Sequence, residues 1–168
     1  MKLIPGRNEL VQRIVSGGQT GADRAALDFA LERGIPIGGW VPKGRLAEDG
    51  RIAERYAGLV ETESPDPSVR TGRNVRDSDA TLILSYGPLE GGSLLTHREA
   101  TRIGKPALHL DLEQLALEAA VDRLRAWLAE VRPAILNVAG PRASRDPRIA
   151  AATGAVLRAA LGEGGTDP

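Results

Sequence analysis

Two glycine-rich stretches hold the most readable chemistry in this chain. Gly17-Gly18-Gln19-Thr20-Gly21-Ala22-Asp23 and Gly87-Pro88-Leu89-Glu90-Gly91-Gly92-Ser93 each lie between an apolar run and a helical pattern. Glycine lets backbone approach a ligand closely and lets successive N–H groups splay into an anion-binding nest. A helix starting at such a turn adds unpaired N–H groups and the positive end of its dipole. Thr20 can add a hydroxyl donor. Asp23 either caps the helix or hydrogen-bonds a ribose or pterin-like group. The bland alternative is a tight strand–helix turn with a capping Asp, but Gln19 and Thr20 are more than such a turn needs. The stretch is neither GxGxxG nor a P-loop, because the closing GK[ST] is absent. On this reading, Gly18→Val abolishes phosphate-ligand binding and leaves the fold largely intact.

The second stretch repeats that logic, with Ser93 and Thr96 both able to face a cleft from the first turn of a helix. Ser85 and Asn137, near strand ends, can reach the same crevice. A third turn, carrying Gly140 and Arg142, follows Asn137. Lys43, Gly44 and Arg45 sit where a flap could supply phosphate contacts. Arg70, Thr71, Arg73 and Asn74 form a further polar cluster; each of these groups also reads as solvated surface. Catalytic machinery is sparse. His97 and His109 are isolated, no HExxH or similar spacing marks a metal site, and Asp23 and Glu48 are the only acid–base candidates. Nothing visible in the sequence positions Glu48, so the pattern points to binding more clearly than to turnover.

The elements that must position these groups follow from periodicity. Residues 13–16 read as a short buried strand. A helix from Ala22 is stopped by Gly34 and Pro36, and a glycine-interrupted strand covers 35–40. Residues 41–67 form a charged excursion with a short strand at 59–62; such long connections are usually functional or mobile. A helix over 69–77, a strand over 80–85, a helix over 93–103 and a strand over 106–110 follow. Leu117, Val121, Leu124, Leu128 and Val131 make a helical stripe, 135–139 a strand, and 148–161 a last helix. Strands alternating with helices predict a three-layer α/β, Rossmann-like domain with a mostly parallel sheet of about five strands. Its core spans about 13–161, with frayed ends at 1–10 and 162–168. Ligands of such sheets bind beyond the carboxyl ends of the strands.

Composition narrows the classes. With 168 residues, the chain suits one domain. Its 22 Lys plus Arg balance 22 Asp plus Glu, leaving no global charge to recruit nucleic acid or an anionic membrane. Absence of cysteine removes disulfides, thiolate nucleophiles and Cys-ligated zinc. No apolar run approaches the roughly 20 residues of a bilayer span, and residues 1–10 lack a signal-like apolar stretch. A cytoplasmic protein is expected. The 20 glycines and 11 prolines would hint at disorder, but 42% apolar residues argue against it.

SGGQTGADRAALD (16–28), GGWVPKGRLAEDG (38–50), RTGRNVRDSDATLIL (70–84), GPLEGGSLLT (87–96) and LNVAGPRAS (136–144) together resemble the putative molybdenum carrier family. That family is also described as circularly permuted YpsA-like, within the SLOG superfamily. The matching blocks run in order from about residue 13 to 161. The resemblance implies a Rossmann-like sheet related to lysine-decarboxylase-like proteins, commonly in an oligomer. It implies a phosphorylated pterin or nucleotide-like ligand, with molybdenum cofactor (molybdopterin) the named candidate and a molybdoenzyme the acceptor. It makes Gly17 to Asp23 the principal phosphate loop and Gly91, Gly92 and Ser93 the second. An enzyme or sensor acting on a nucleotide- or ADP-ribose-derived ligand is the alternative. Related phosphoribohydrolases carry PGGxGTxxE, and Thr96 falls where their Glu would be. A threonine cannot serve as that carboxylate, and Glu99 is one helical turn away, so the same hydrolysis is not expected.

Overall fold

Burial explains why the central strands form where they do. A computed structural model describes residues 11–161; the ends expected to fray lie outside the described residues. In chain order the elements are β1 (Arg13–Val15), α1 (Ala22–Arg33), β2 (Ile37–Val41), β3 (Leu46–Ala47), β4 (Gly50–Arg51), β5 (Leu59–Glu61) and α2 (Pro67–Arg76). There follow β6 (Ala80–Ser85), α3 (Gly91–Ile103), β7 (Ala107–Asp111), α4 (Leu117–Val131), β8 (Ile135–Ala139) and α5 (Ile149–Leu161). All six residues of β6 are buried, the continuous pattern of a strand covered on both faces.

The sheet runs β5-β2-β1-β8-β6-β7, and every neighbouring pair is parallel. It has six strands rather than about five, because Leu59, Val60 and Glu61 pair in register with Gly39, Trp40 and Val41. Helices α1, α5 and α4 pack on one another, and α2 packs on α3, giving helix layers either side of the sheet. The chain steps outward from β1 to β2 and from β6 to β7, while β8 fills the gap between β1 and β6. That reversal of direction opens a crevice at the carboxyl ends of β1, β8 and β6.

Helix limits follow local chemistry. Helix α2 starts two residues before the expected position because Asp66 caps it, accepting the Ser68 N–H at 2.9 Å, with Pro67 at its first turn. Helix α3 also starts two residues early, so Gly91 and Gly92 belong to its first turn. The 41–67 excursion is folded. It contains the antiparallel β3–β4 hairpin and a small second core of Leu27, Val41, Ile52, Tyr56 and Leu59.

Leu82 on β6 is fully buried in the main core. Leu82→Ala is expected to lose about 2–5 kcal/mol in urea unfolding with an unchanged denaturant slope. A loss below about 1 kcal/mol would contradict this packing.

Candidate functional site

A cleft of about 240 Å³ opens at the carboxyl ends of β1, β6 and β8. Gly17, Gln19 and Asp23 line it from the turn after β1, and Arg70, Thr71 and Asn74 from α2. Gly91, Gly92, Ser93 and Thr96 line it from α3, and Asn137, Gly140, Arg142 and Arg145 from β8 and its exit loop.

The turn after β1 is partly satisfied from within. Ser16 Oγ donates to the Asp23 carbonyl (3.0 Å) and accepts the Gly18 N–H (3.2 Å). The Gln19 N–H reaches the Asp23 carboxylate (3.4 Å), the Thr20 N–H the Gln19 side-chain carbonyl (3.0 Å), and the Ala22 N–H the Pro141 carbonyl (3.3 Å). Four N–H groups of the expected nest are therefore committed to protein acceptors, while those of Gly17, Gly21 and Asp23 have no partner among the described residues. Its glycines serve protein neighbours too. A Cβ on Gly21 (φ +83°) would lie 2.3 Å from the Pro141 carbonyl, and one on Gly18 (φ +72°) 2.9 Å from Ile52 Cδ1. Gly18→Val thus strikes the second core, correcting the expectation that it would spare the fold. Thr20 and Gly21 face a separate groove between α1 and α5.

Helix α3 differs. The N–H groups of Gly91, Gly92 and Ser93 have no hydrogen-bond partner among the described residues, and Glu90 at its N-cap supplies no side-chain cap. A Cβ on Gly91 or Gly92 would meet nothing within 4 Å. Ser93 is 7% exposed as a residue; its hydroxyl makes no protein hydrogen bond among the described residues and is not a buried orphan, so it opens to the cleft. The Asn137 amide N–H₂ donates to Thr81 Oγ1 (3.3 Å), leaving its carbonyl oxygen unpartnered among those residues. Thr96 donates its hydroxyl to the Gly92 carbonyl (2.8 Å).

Several predicted contacts are spent elsewhere. Arg45 is buried, and its guanidinium donates to the carbonyls of Ile52 (3.1 Å), Ala53 (2.9 Å) and Tyr56 (3.3 Å). A buried guanidinium needs such acceptors, so Arg45 organises the excursion and does not close over the cleft. Lys43 is exposed and outside the cleft lining. The Asn74 side chain accepts the Trp40 N–H (2.7 Å) and donates to the Trp40 carbonyl (3.0 Å), extending the sheet where β1 ends. Ser85 bonds the Gly87 carbonyl and His109 Nε2 (2.6 Å), while the Gly87 N–H donates to Asp111.

Glu48, an acid–base candidate by sequence, is a clasp. Its carboxylate accepts the Thr20 hydroxyl, the Ser144 N–H (3.1 Å) and the Ser144 hydroxyl, with Arg142 Nε 3.5 Å away. Those donors, Ser144 and Thr20 first, hold its acidity stronger than usual. It ties the hairpin to the turns after β1 and β8 and is ill suited to carry a proton near neutrality. Asp23 is well suited. Burial pushes its pKa up to about 6, against the opposing pull of Arg70, the Gln19 N–H, Arg24 and the Gly140 N–H. Arg70 is buried and donates to the Gly17 carbonyl at 2.6 Å. A Cβ on Gly17 would sit 2.8 Å from Arg70 Nη1 and 3.0 Å from Asp23 Oδ2, so the two charged groups flank that glycine.

Periodicity and glycine content did not single out Arg145 or Glu90. Arg145 Nη1 meets Glu90 Oε2 at 2.5 Å across the mouth of the cleft. The available signal was the basic run from Arg142 to Arg148 just after a strand exit.

The model of the circularly permutated YpsA SLOG family matches residues 14–161. The chain belongs to that family. Among solved structures it is similar to the crystal structure of a putative molybdenum carrier protein from Syntrophus aciditrophicus SB. The two are 52% identical with a TM-score of 0.89, over 91% of this chain and 96% of that one. No curated protein matches the chain. Family membership agrees with the order of sequence blocks and with the Rossmann-like sheet. Among the described residues, no helix is long and apolar enough to cross a membrane, and no three His, Asp or Glu side chains form a metal-holding group.

The raised pKa of Asp23 fixes a sign. Below 3.8 the acid is protonated whether the chain is folded or unfolded, and its contribution to stability is fully present. That contribution is lost as pH rises through about 6, where the folded-state group ionises. Urea unfolding of Asp23→Asn and the parent chain is expected to show the variant gaining about 2 kcal/mol more at pH 7.5 than at pH 4.5. An equal difference at both pH values would contradict a buried, titrating Asp23.

Proposed function

We propose that the chain is a binding protein for a phosphorylated pterin or nucleotide-like ligand, with molybdenum cofactor as its named candidate. One observation carries this reading: the open first turn of α3, with three N–H groups that have no partner among the described residues and the Ser93 hydroxyl open to the cleft, beside Arg145. A phosphate there gains helix-terminus donors and a charge-assisted bond from Arg145 once that guanidinium leaves Glu90. Asp23 and the Asn137 carbonyl oxygen then offer acceptors for the N–H edge of a ring deeper in the cleft. The name of the Syntrophus protein supports a molybdenum compound as the cargo, which a carrier would hand to a molybdoenzyme in the cytoplasm. The residues present fit the organic and phosphate parts of such a cargo.

Asp23 supports a second reading, an enzyme acting on a nucleotide-derived ligand with this carboxyl as acid or base. Its pKa of about 6 lies near working pH, and it lines the cleft. Turnover of a nucleotide, lost in a folded Asp23→Ala variant, would favour it.

Mass spectrometry of ligand co-purified under anaerobic conditions tests the first reading. Recovery of a molybdopterin is expected, together with its loss in Gly92→Leu, a variant expected to keep its thermal midpoint. Bound nucleotide without pterin affinity would contradict the molybdenum assignment, and full retention by Gly92→Leu would contradict the α3 anion site.

A further inference from the structure

Asp23 and Arg70 are both nine-tenths buried, and both line the cleft. Buried opposite charges ordinarily meet in a direct pair; among the described residues these two do not. The backbone of Gly17 stands between them: a Cβ there would meet Arg70 Nη1 at 2.8 Å and Asp23 Oδ2 at 3.0 Å. Arg70 spends Nη1 on the Gly17 carbonyl (2.6 Å), while its Nε and Nη2 make no hydrogen bond among the described residues and are not buried orphans. The Asp23 carboxylate takes the Gln19 N–H only at a long 3.4 Å. A donor and an acceptor thus stand side by side in the cleft wall, each with capacity left.

The charge of Asp23 is therefore incompletely compensated, and burial, outweighing Arg70, pushes its pKa up to about 6. The charged groups that face it are Arg70 from α2 and Arg24 from its own helix. Across the cleft stand Arg142 and Arg145 of the β8 exit loop and Glu90 before α3; the rest of the lining is neutral and holds no histidine. An N–H donated to Asp23 completes the compensation and favours the ionised form, while Arg70 can take a carbonyl oxygen beside it. By linkage, a ligand that favours the carboxylate is bound less well once that carboxylate is protonated. We propose that ligand capture in this cleft is proton-linked: the ligand donates an N–H to ionised Asp23 beside Arg70, and acidification releases it. The inference rests on the reading of the cleft as a ligand site given above, and adds to it a control over loading. Affinity is fully present above pH 6 and is lost as pH falls through about 6, where the unliganded carboxylate takes up its proton.

Calorimetric titration with cyclic GMP tests it, because this probe carries a ring N–H beside a carbonyl and its phosphodiester does not titrate near neutrality. Binding to the parent chain is expected to be about tenfold weaker at pH 5 than at pH 7.5, with about half a proton released per ligand at pH 6. Asp23→Asn, its fold checked by its unfolding transition, is expected to bind equally at both pH values and to release no proton. Equal affinity of the parent chain at both pH values, or a pH dependence that survives in Asp23→Asn, would overturn the proposal. Absence of cyclic GMP binding at either pH would overturn it too; anaerobic recovery of a phosphorylated pterin or nucleotide then shows whether the underlying reading survives.

Discussion

Burial of the Asp23 carboxylate beneath the turn after β1 constrains everything around the cleft. A carboxylate removed from water must find donors or give up its charge. Here it takes the Gln19 N–H, feels Arg70 across Gly17, and still has its pKa pushed up to about 6. The surrounding turn closes on itself to supply those donors, with Ser16, Gln19 and Pro141 accepting the neighbouring N–H groups. An N–H committed to a buried acceptor is not available to a ligand. Among the described residues, unspent N–H donors of the cleft remain at Gly17 and Asp23 of that turn and, across it, at the first turn of α3.

The charged residues around the rim obey the same accounting. Arg45 and Asn74 are consumed by backbone carbonyl and amide groups of the excursion and of β2. Glu48 is consumed as a clasp among Thr20, Arg142 and Ser144. Among the described residues, the Arg145 side chain pairs only with the exposed Glu90, with side-chain exposures of 49% and 66%. Exposed pairs of this kind are worth little, roughly 0–1 kcal/mol, so an incoming phosphate displaces Glu90 at small cost. Stability and ligand affinity thus draw on different arginines, the buried ones holding the scaffold and the exposed one serving the mouth.

Much of this was legible in the residues. The buried run of β6, the Gly34 and Gly104 helix stops and the stripe of α4 all announce elements found within one or two residues of their expected ends. The starts of α2 and α3 were misplaced because Asp66-Pro67 is a cap whose meaning depends on Ser68, and because Gly91 and Gly92 look like loop until the helix is seen to include them. The excursion hid its order, since two-residue strands have no periodicity and Arg45 reads as surface until its carbonyl partners are known. A cleft does lie at the strand ends, where the glycine turns were expected to converge. Which individual N–H groups of the glycine turns stay free was not legible, because that depends on contacts such as Pro141 against Ala22, distant in sequence.

Membership of the circularly permutated YpsA SLOG family, and 52% identity to the Syntrophus protein, supply the context in which these local facts become a function. The central claim is that the anion of the ligand rests on the first turn of α3. Amide chemical-shift mapping of the ¹⁵N-labelled chain titrated with AMP tests it most directly. The account predicts the largest shifts at Gly91, Gly92 and Ser93; shifts centred on Gly18, Gln19 and Thr20, with the start of α3 unmoved, would contradict it.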